Sequence, residues 1–304
     1  MKVGILLTTL IGIFLVGCTK ENTLISSFKP AKEIKISHIH GIGYVGNESE
    51  LYIATHEGLV KYVDDNWFED RYNKHDYIAF EAMSNGFYSS GYESSNSNIK
   101  TPLGIVRSVD EGKSIEFWQF YGETDFSHLT AGYNQQSLYV INEIPNQKLN
   151  KGLYYSVDMG VTWTQSLLYG LNTKAVSRIA AHPSEPNIIA VSTKEGLFYS
   201  SDFGDNFKLL SEPNMITTVY VEENSLIYSS IEGEDIFLNE MSMDSSQVSR
   251  ISLPELLKEN PITNISTNPN NREEITITTL RDDIFLSLNR GKEWTKISSY
   301  GKLD

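Results

Sequence analysis

The stretch "GLYYSVDMGVTW", residues 152–163, runs from a short apolar strand into a tight turn and ends on an aromatic. Ser156, Asp158, Gly160 and Trp163 set the spacing S-x-D-x-G-x-x-W. The spacing returns at Ser200, Asp202, Gly204 and Phe207, with Phe in the aromatic place, and at Ser287, Asn289, Gly291 and Trp294, with Asn in the acidic place. Ser108, Asp110 and Gly112 begin a fourth copy, in which Ile115 replaces the aromatic. Ser and Asp side chains accept hydrogen bonds from backbone N–H groups in tight turns. Glycine permits the positive φ such a turn needs, and the aromatic tucks against neighbouring strands. These residues are therefore expected to be structural staples, not catalysts.

A second repeat surrounds the first. Gly58-Leu59-Val60, Gly104-Ile105-Val106, Gly152-Leu153-Tyr154, Gly196-Leu197-Phe198, Asp235-Ile236-Phe237 and Asp283-Ile284-Phe285 each open a short apolar strand. Each is preceded by two β-rich runs and followed by a fourth, as at Trp163–Leu167 and Trp294–Ile297. A period in the forties with several strands per unit predicts an all-β fold, a β-propeller. Four strands in each of six units give six four-stranded blades. Seven stays open, because the run 32–37 could either add an outer strand or close the ring. Pro254–Lys258 is the best helix candidate, and it is short. The four turns resemble the Asp-box, or BNR, motif of sialidase-like and sortilin-like propellers.

The chain starts MKVGILLTTLIGIFLVGC: one lysine, an apolar run from Val3 to Val16, then Gly17 and Cys18. That is the pattern of a secretory signal peptide over 1–17, too short for a comfortable membrane span. Leu15-Val16-Gly17-Cys18 resembles the bacterial lipobox, which implies cleavage before Cys18 and lipid on its sulfur. Stable anchoring takes more than one acyl chain. Cys18 is the only cysteine, so its lipidation excludes disulfides, thiolate zinc sites and cysteine nucleophiles. Loss of Lys2 with the signal takes the formal charge from −14 to −15. So acidic a body does not suit phosphate backbones, and nucleic acid is not an expected partner. The polar residues 18–35 read as the lipidated cysteine and a tether, and 36–300 as the propeller. The expected location is the extracellular face of the cell membrane, lipid-anchored, as a monomer.

Five of the six histidines converge on one expected rim. In propellers the first strand of each blade lines the central channel. The top face carries the start of that strand and the loop between the second and third strands. His38 and His40 start blade 1, and alternate strand residues share a face. His75 and Asp76 precede the first strand of blade 2, and His128 starts that of blade 3. His56 and Glu57 lie in the second-to-third loop of blade 1, whereas His182 belongs to a bottom turn. Imidazoles beside carboxylates suit a transition metal such as Zn or Cu, or acid–base chemistry near neutral pH. His38, His40 and His128 are the leading ligands, with His56, Glu57, His75 and Asp76 as partners. A histidine at a strand end also commonly caps a backbone group or packs on an aromatic.

Taken together, HIHGIGY, LYIATHEGLVKY, KHDYIAF, FYSSGY, TPLGIVRSVDEG, GLYYSVDMGVTW and TKEGLFYSSDFG resemble a group of Firmicute lipoprotein propellers described as glycosyl hydrolase-like, BNR-repeat or sortilin-N-terminal-like. The resemblance covers about residues 36–298. It implies the propeller fold; fold alone does not establish chemistry. A sialidase would carry an arginine triad with an R-I-P motif. This chain has seven arginines and no R-I-P, and Arg178 and Arg107 form no evident triad. Glycoside hydrolysis needs two carboxylates about 5–10 Å apart. Glu57, Asp76, Glu81, Asp125 and Glu143 all fall near the top face, with no spacing that selects a pair. Three readings stand: a surface propeller binding a ligand or metal at the channel mouth without turnover, a glycosidase-like enzyme, and a platform for peptides or proteins. The ligand is open among glycan, peptide and metal.

Overall fold

The computed structural model describes residues 23–303 apart from 33, 47–49, 95–98, 174, 212 and 257. The signal peptide and Cys18 lie outside the described residues. Six antiparallel sheets follow one another along the chain. Blade 1 runs from the channel outward as Gly41–Val45, Glu50–Thr55, Gly58–Val63 and Asn66–Asp70. Blade 2 runs Asp76–Met83, Gly86–Tyr92, Ile105–Ser108 and Ser114–Gln119. Blades 3 to 6 begin with Leu129–Ala131, Val176–Ala181, Met215–Val221 and Ile262–Asn268. Each innermost strand packs beside that of the next blade, and blade 6 returns to blade 1. This is a six-bladed β-propeller.

The ring has no single core. Six buried apolar clusters sit between adjacent blades, one at each junction. Between blades 1 and 2, for example, Tyr52, Leu59, Tyr77, Phe80, Phe87 and Val106 close against one another. Every blade is thus a layer whose two faces both need covering, and closing the ring covers the last pair.

The chain ends perform that closure. Ile36 N–H donates to Gly301 O at 2.9 Å, and Lys35 bridges Lys302. The run 32–37 therefore joins the two ends of the ring, and no seventh blade forms. The propeller starts earlier than residue 36. Thr23–Ile25 adds an outer strand to blade 2, and Phe28–Pro30 adds one to blade 1. Much of the expected tether is accordingly a strap along the outer edges of three blades. Pro254–Lys258 is not helical at its described residues; Leu253 and Leu256 instead cover the cluster between blades 5 and 6. No helix among the described residues is long and apolar enough to cross a membrane.

The four S-x-(D/N)-x-G turns close alike at the bottom face. Ser156 Oγ donates to Asp158 Oδ1 at 2.7 Å and accepts from Asp158 N–H and Gly160 N–H at 3.2 and 2.8 Å. Asp158 Oδ1 also accepts from Thr162 N–H. Ser108 with Asp110 and Gly112, Ser200 with Asp202 and Gly204, and Ser287 with Asn289 and Gly291 repeat the pattern. Met159 and Gly160 are both left-handed, at φ 60° and 85°. Trp294 donates to Ser252 O, Phe207 is buried, and Ile115, the non-aromatic substitute, is buried as well. Hydrogen bonding spends the acidic members of these turns within the turn.

Candidate metal centre

The top of the junction between blades 1 and 2 gathers three elements. The segment before Gly41 carries His38 and His40, the turn from Thr55 to Gly58 carries His56, and the first residue of the Asp76–Met83 strand is Asp76. Two glycines make the approach possible. Gly58, at φ 109°, lies against the neighbouring blade so closely that a Cβ there would stand 2.7 Å from Asn73 O. Gly91, at φ 157°, lies under Asp76, where a Cβ would meet Asp76 O at 1.9 Å. Larger residues would push the His56 turn away from blade 2 or lift Asp76 out of place.

Three donor atoms then meet. His40 Nε2 lies 3.1 Å from His56 Nδ1 and 3.2 Å from Asp76 Oδ1, and His56 Nδ1 lies 3.0 Å from Asp76 Oδ1. Asp76 Oδ1 is buried, yet no N–H is aimed at it. A buried carboxylate oxygen without a donor is costly. Burial, opposed by the charge of Asp76, lowers the His40 imidazole below its ordinary value, so it presents a lone pair at neutral pH. An ion about 2.1 Å from all three atoms would see them about 91–99° apart. That is one face of a four- to six-coordinate sphere, with the outer positions open.

His38 stands beside the three donors and not among them. Its ring lies 4.9 Å from that of His56 and 6.4 Å from that of His40, nearly parallel to the latter. The shared orientation does not come from strand alternation, because the strand begins only at Gly41 and His38 is left-handed at φ 51°. Asp282, from the top loop of blade 6, holds that bend by accepting from His38 N–H and Ile39 N–H at 3.2 and 3.0 Å. Sequence reading missed Asp282. The signal was its place in the repeat, directly before the residue that opens a third strand, as Glu57 precedes Gly58.

Other expected ligands go elsewhere. His75, directly before the Asp76–Met83 strand, is buried and is not one of the converging donors. Its Nδ1 accepts from Ser94 N–H and its ring stands edge-on to Tyr77. Glu57 is taken by Ser37, accepting from its N–H and its hydroxyl at 3.1 and 2.5 Å. His128 is not one of the converging donors; it lines a cavity beneath them with His40 and Arg178. His182 sits at the bottom as expected, accepting from Ser184 and Glu185 N–H.

The channel below is interrupted. Arg178, on the first strand of blade 4, donates through Nη1 to Asn264 Oδ1 at 2.6 Å and to His40 O at 3.3 Å. Glu81 lies deeper, accepting from Thr130 Oγ1 at 2.9 Å. Burial pushes its carboxyl up to about 7, against the pull of Arg178. Of the five top-face carboxylates, Glu57 is thus tied to Ser37 at the surface and Glu81 lines an inner void with Arg178.

No protein-family model matches the chain, and no curated protein does. Solved structures do match. TolB from Acinetobacter baumannii superposes with a TM-score of 0.55 at 13% identity, over 84% of this chain and 61% of that one. An ancestral GH74 enzyme gives 0.53 at 12%, over 90% of this chain and 40% of that one. YCF48 from Cyanidioschyzon merolae gives 0.51 at 11%, over 92% and 90%. The chain thus spans less than two thirds of the TolB and GH74 chains. At such identities the likeness shows the propeller fold alone.

Proposed function

We propose that this protein is a lipid-anchored propeller on the outer face of the cell membrane, akin to the BNR-type lipoproteins its sequence resembles. It binds a transition-metal ion, zinc or copper, through His40, His56 and Asp76 at the channel mouth, with His38 covering the outer side. Two imidazoles and one carboxylate are a donor set that zinc and other first-row metals accept. The observation that carries this reading is the meeting of three donor atoms within 3.2 Å around a carboxylate oxygen that no N–H reaches. The role proposed for the site is capture of the ion.

The test is elemental analysis of full-length protein purified from membranes without chelator, then stripped and reloaded with zinc or copper. About one ion per chain is expected in the wild type, and none in the His40→Ala/His56→Ala variant, with the metal-free proteins melting alike. Wild-type protein that stays metal-free after reloading, or a variant that loads equally, would overturn the metal. In the same preparations Cys18→Ala should move the protein from the membrane to the soluble fraction; retention would overturn the anchor.

A further inference from the structure

Beneath the three donors the mouth widens into a cavity of about 200 Å³. Its wall is polar, with His128, Ser127, Ser177 and Thr263 around it and Arg178 at its floor. Below Arg178 the channel narrows to an inner void of about 30 Å³, room for about two waters. Arg178 therefore divides a space that holds water from one that holds a molecule of several heavy atoms.

The guanidinium is held in one orientation and only partly used. Nη1 is tied to Asn264 Oδ1 and His40 O. The opposite edge, Nε with Nη2, has no acceptor among the described residues, and Glu81, whose charge acts on the guanidinium, makes no ion pair with it. A guanidinium edge of two parallel N–H groups matches the two oxygens of a carboxylate. The His128 ring likewise has no hydrogen-bond partner among the described residues. Burial lowers its imidazole, opposed by Glu143 and aided by Arg178, so it is neutral and able to donate one N–H at neutral pH.

We propose that the mouth cavity binds a small carboxylate, which lies against the Nε–Nη2 edge of Arg178 and takes a hydrogen bond from His128. The hydroxyls of Ser127, Ser177 and Thr263 face the rest of the molecule. The fixed, bidentate edge matches an anion with two oxygens and discriminates against a halide. The site uses none of the side-chain donors of His40, His56 and Asp76, so it stands whether or not an ion binds there.

The experiment titrates metal-stripped, full-length protein with acetate, succinate, inorganic phosphate and chloride at constant ionic strength. It follows the ring signals of His128 and His182 and the Nε–H signal of Arg178 by NMR. Saturable shifts of His128 and Arg178 with succinate and acetate, with His182 still, are expected. Arg178→Lys keeps the charge and loses the edge, and should weaken succinate binding about tenfold or more. Absence of a saturable shift, equal response to phosphate or chloride, or undiminished binding by Arg178→Lys would each overturn the site. If that variant does not fold, the wild-type Arg178 signal decides: its failure to move while His128 shifts overturns the proposal. Because the protein is metal-free throughout, failure of the metal reading leaves this result untouched.

Discussion

Glu81→Gln tests whether the channel beneath Arg178 carries a protonated or an ionised acid. In the folded chain burial pushes the Glu81 carboxyl up to about 7 from an ordinary value of 4.5. The raised value means that the native state binds the proton more tightly than the unfolded state does. The stabilisation is complete below pH 4.5 and is lost as pH rises through about 7. Between pH 5 and pH 8 the loss integrates to about 2.5 kcal/mol, at about 1.4 kcal/mol for each pH unit over which only the unfolded state has released the proton.

Glutamine imitates the protonated acid and cannot ionise. Relative to the wild type, the variant should therefore gain about 2.5 kcal/mol between pH 5 and pH 8. Comparing the two proteins at each pH cancels every other titrating group. It also cancels any fixed difference in packing or in the hydrogen bond from Thr130 Oγ1 to Glu81. Urea denaturation at four pH values over this range provides the free energies. A difference that stays flat with pH would refute the reasoning, since Arg178 would then be holding Glu81 ionised at little cost. A difference running the other way would show a depressed carboxyl and the same error, larger.

Two further substitutions separate the rim from the scaffold. Gly91→Ala places a Cβ 1.9 Å from Asp76 O without altering any donor; zinc affinity measured by calorimetry should fall about tenfold or more, whereas Gly233→Ala, where a Cβ meets nothing within 4 Å, should leave it unchanged, and equal affinities would show that Asp76 is not a ligand. Ser200→Ala removes the oxygen that accepts from Gly204 N–H at 2.9 Å and donates to Asp202; it should cost about 2 kcal/mol in urea denaturation and leave metal stoichiometry intact, and loss of metal there would show the two faces to be coupled.

The propeller was legible because its turns need particular chemistry at fixed spacing. Ser156, Asp158 and Gly160 can be read off the chain since each satisfies a backbone group within five residues. The outer strands Thr23–Ile25 and Phe28–Pro30 were not legible. Three-residue strands are too short to show apolar alternation, and the mostly polar residues around them read as linker. The site was half legible. Residue types and repeat position brought His40, His56 and Asp76 to one rim. The choice between His75 and Asp76 rested on a single residue of register, which sequence does not fix. Glu57 looked like a ligand because its competing partner, Ser37, has no motif. Asp282 acts across 244 positions of chain, and only ring closure brings it to His38.

The two faces of the ring differ in how fully their polar atoms are used. At the bottom, Ser156 Oγ and Asp158 Oδ1 are each saturated by the turn they close. Satisfied groups of this kind explain themselves by stability. At the top, Asp76 Oδ1, the His128 ring and one edge of Arg178 keep unspent hydrogen-bonding or ligating capacity. Leaving such groups unpaired costs about 1–3 kcal/mol each when they are buried, and the fold gains nothing from it. Single unpartnered atoms do occur elsewhere, as at Tyr77 Oη and Trp163 Nε1. Those atoms sit alone in packed junctions, whereas Asp76 Oδ1 lies within 3.2 Å of two imidazole nitrogens on separate loops. Glycines at 58 and 91 hold that arrangement at close quarters. Accidental frustration would not bring three elements of two blades together around it, and a bound ion removes the frustration in one step.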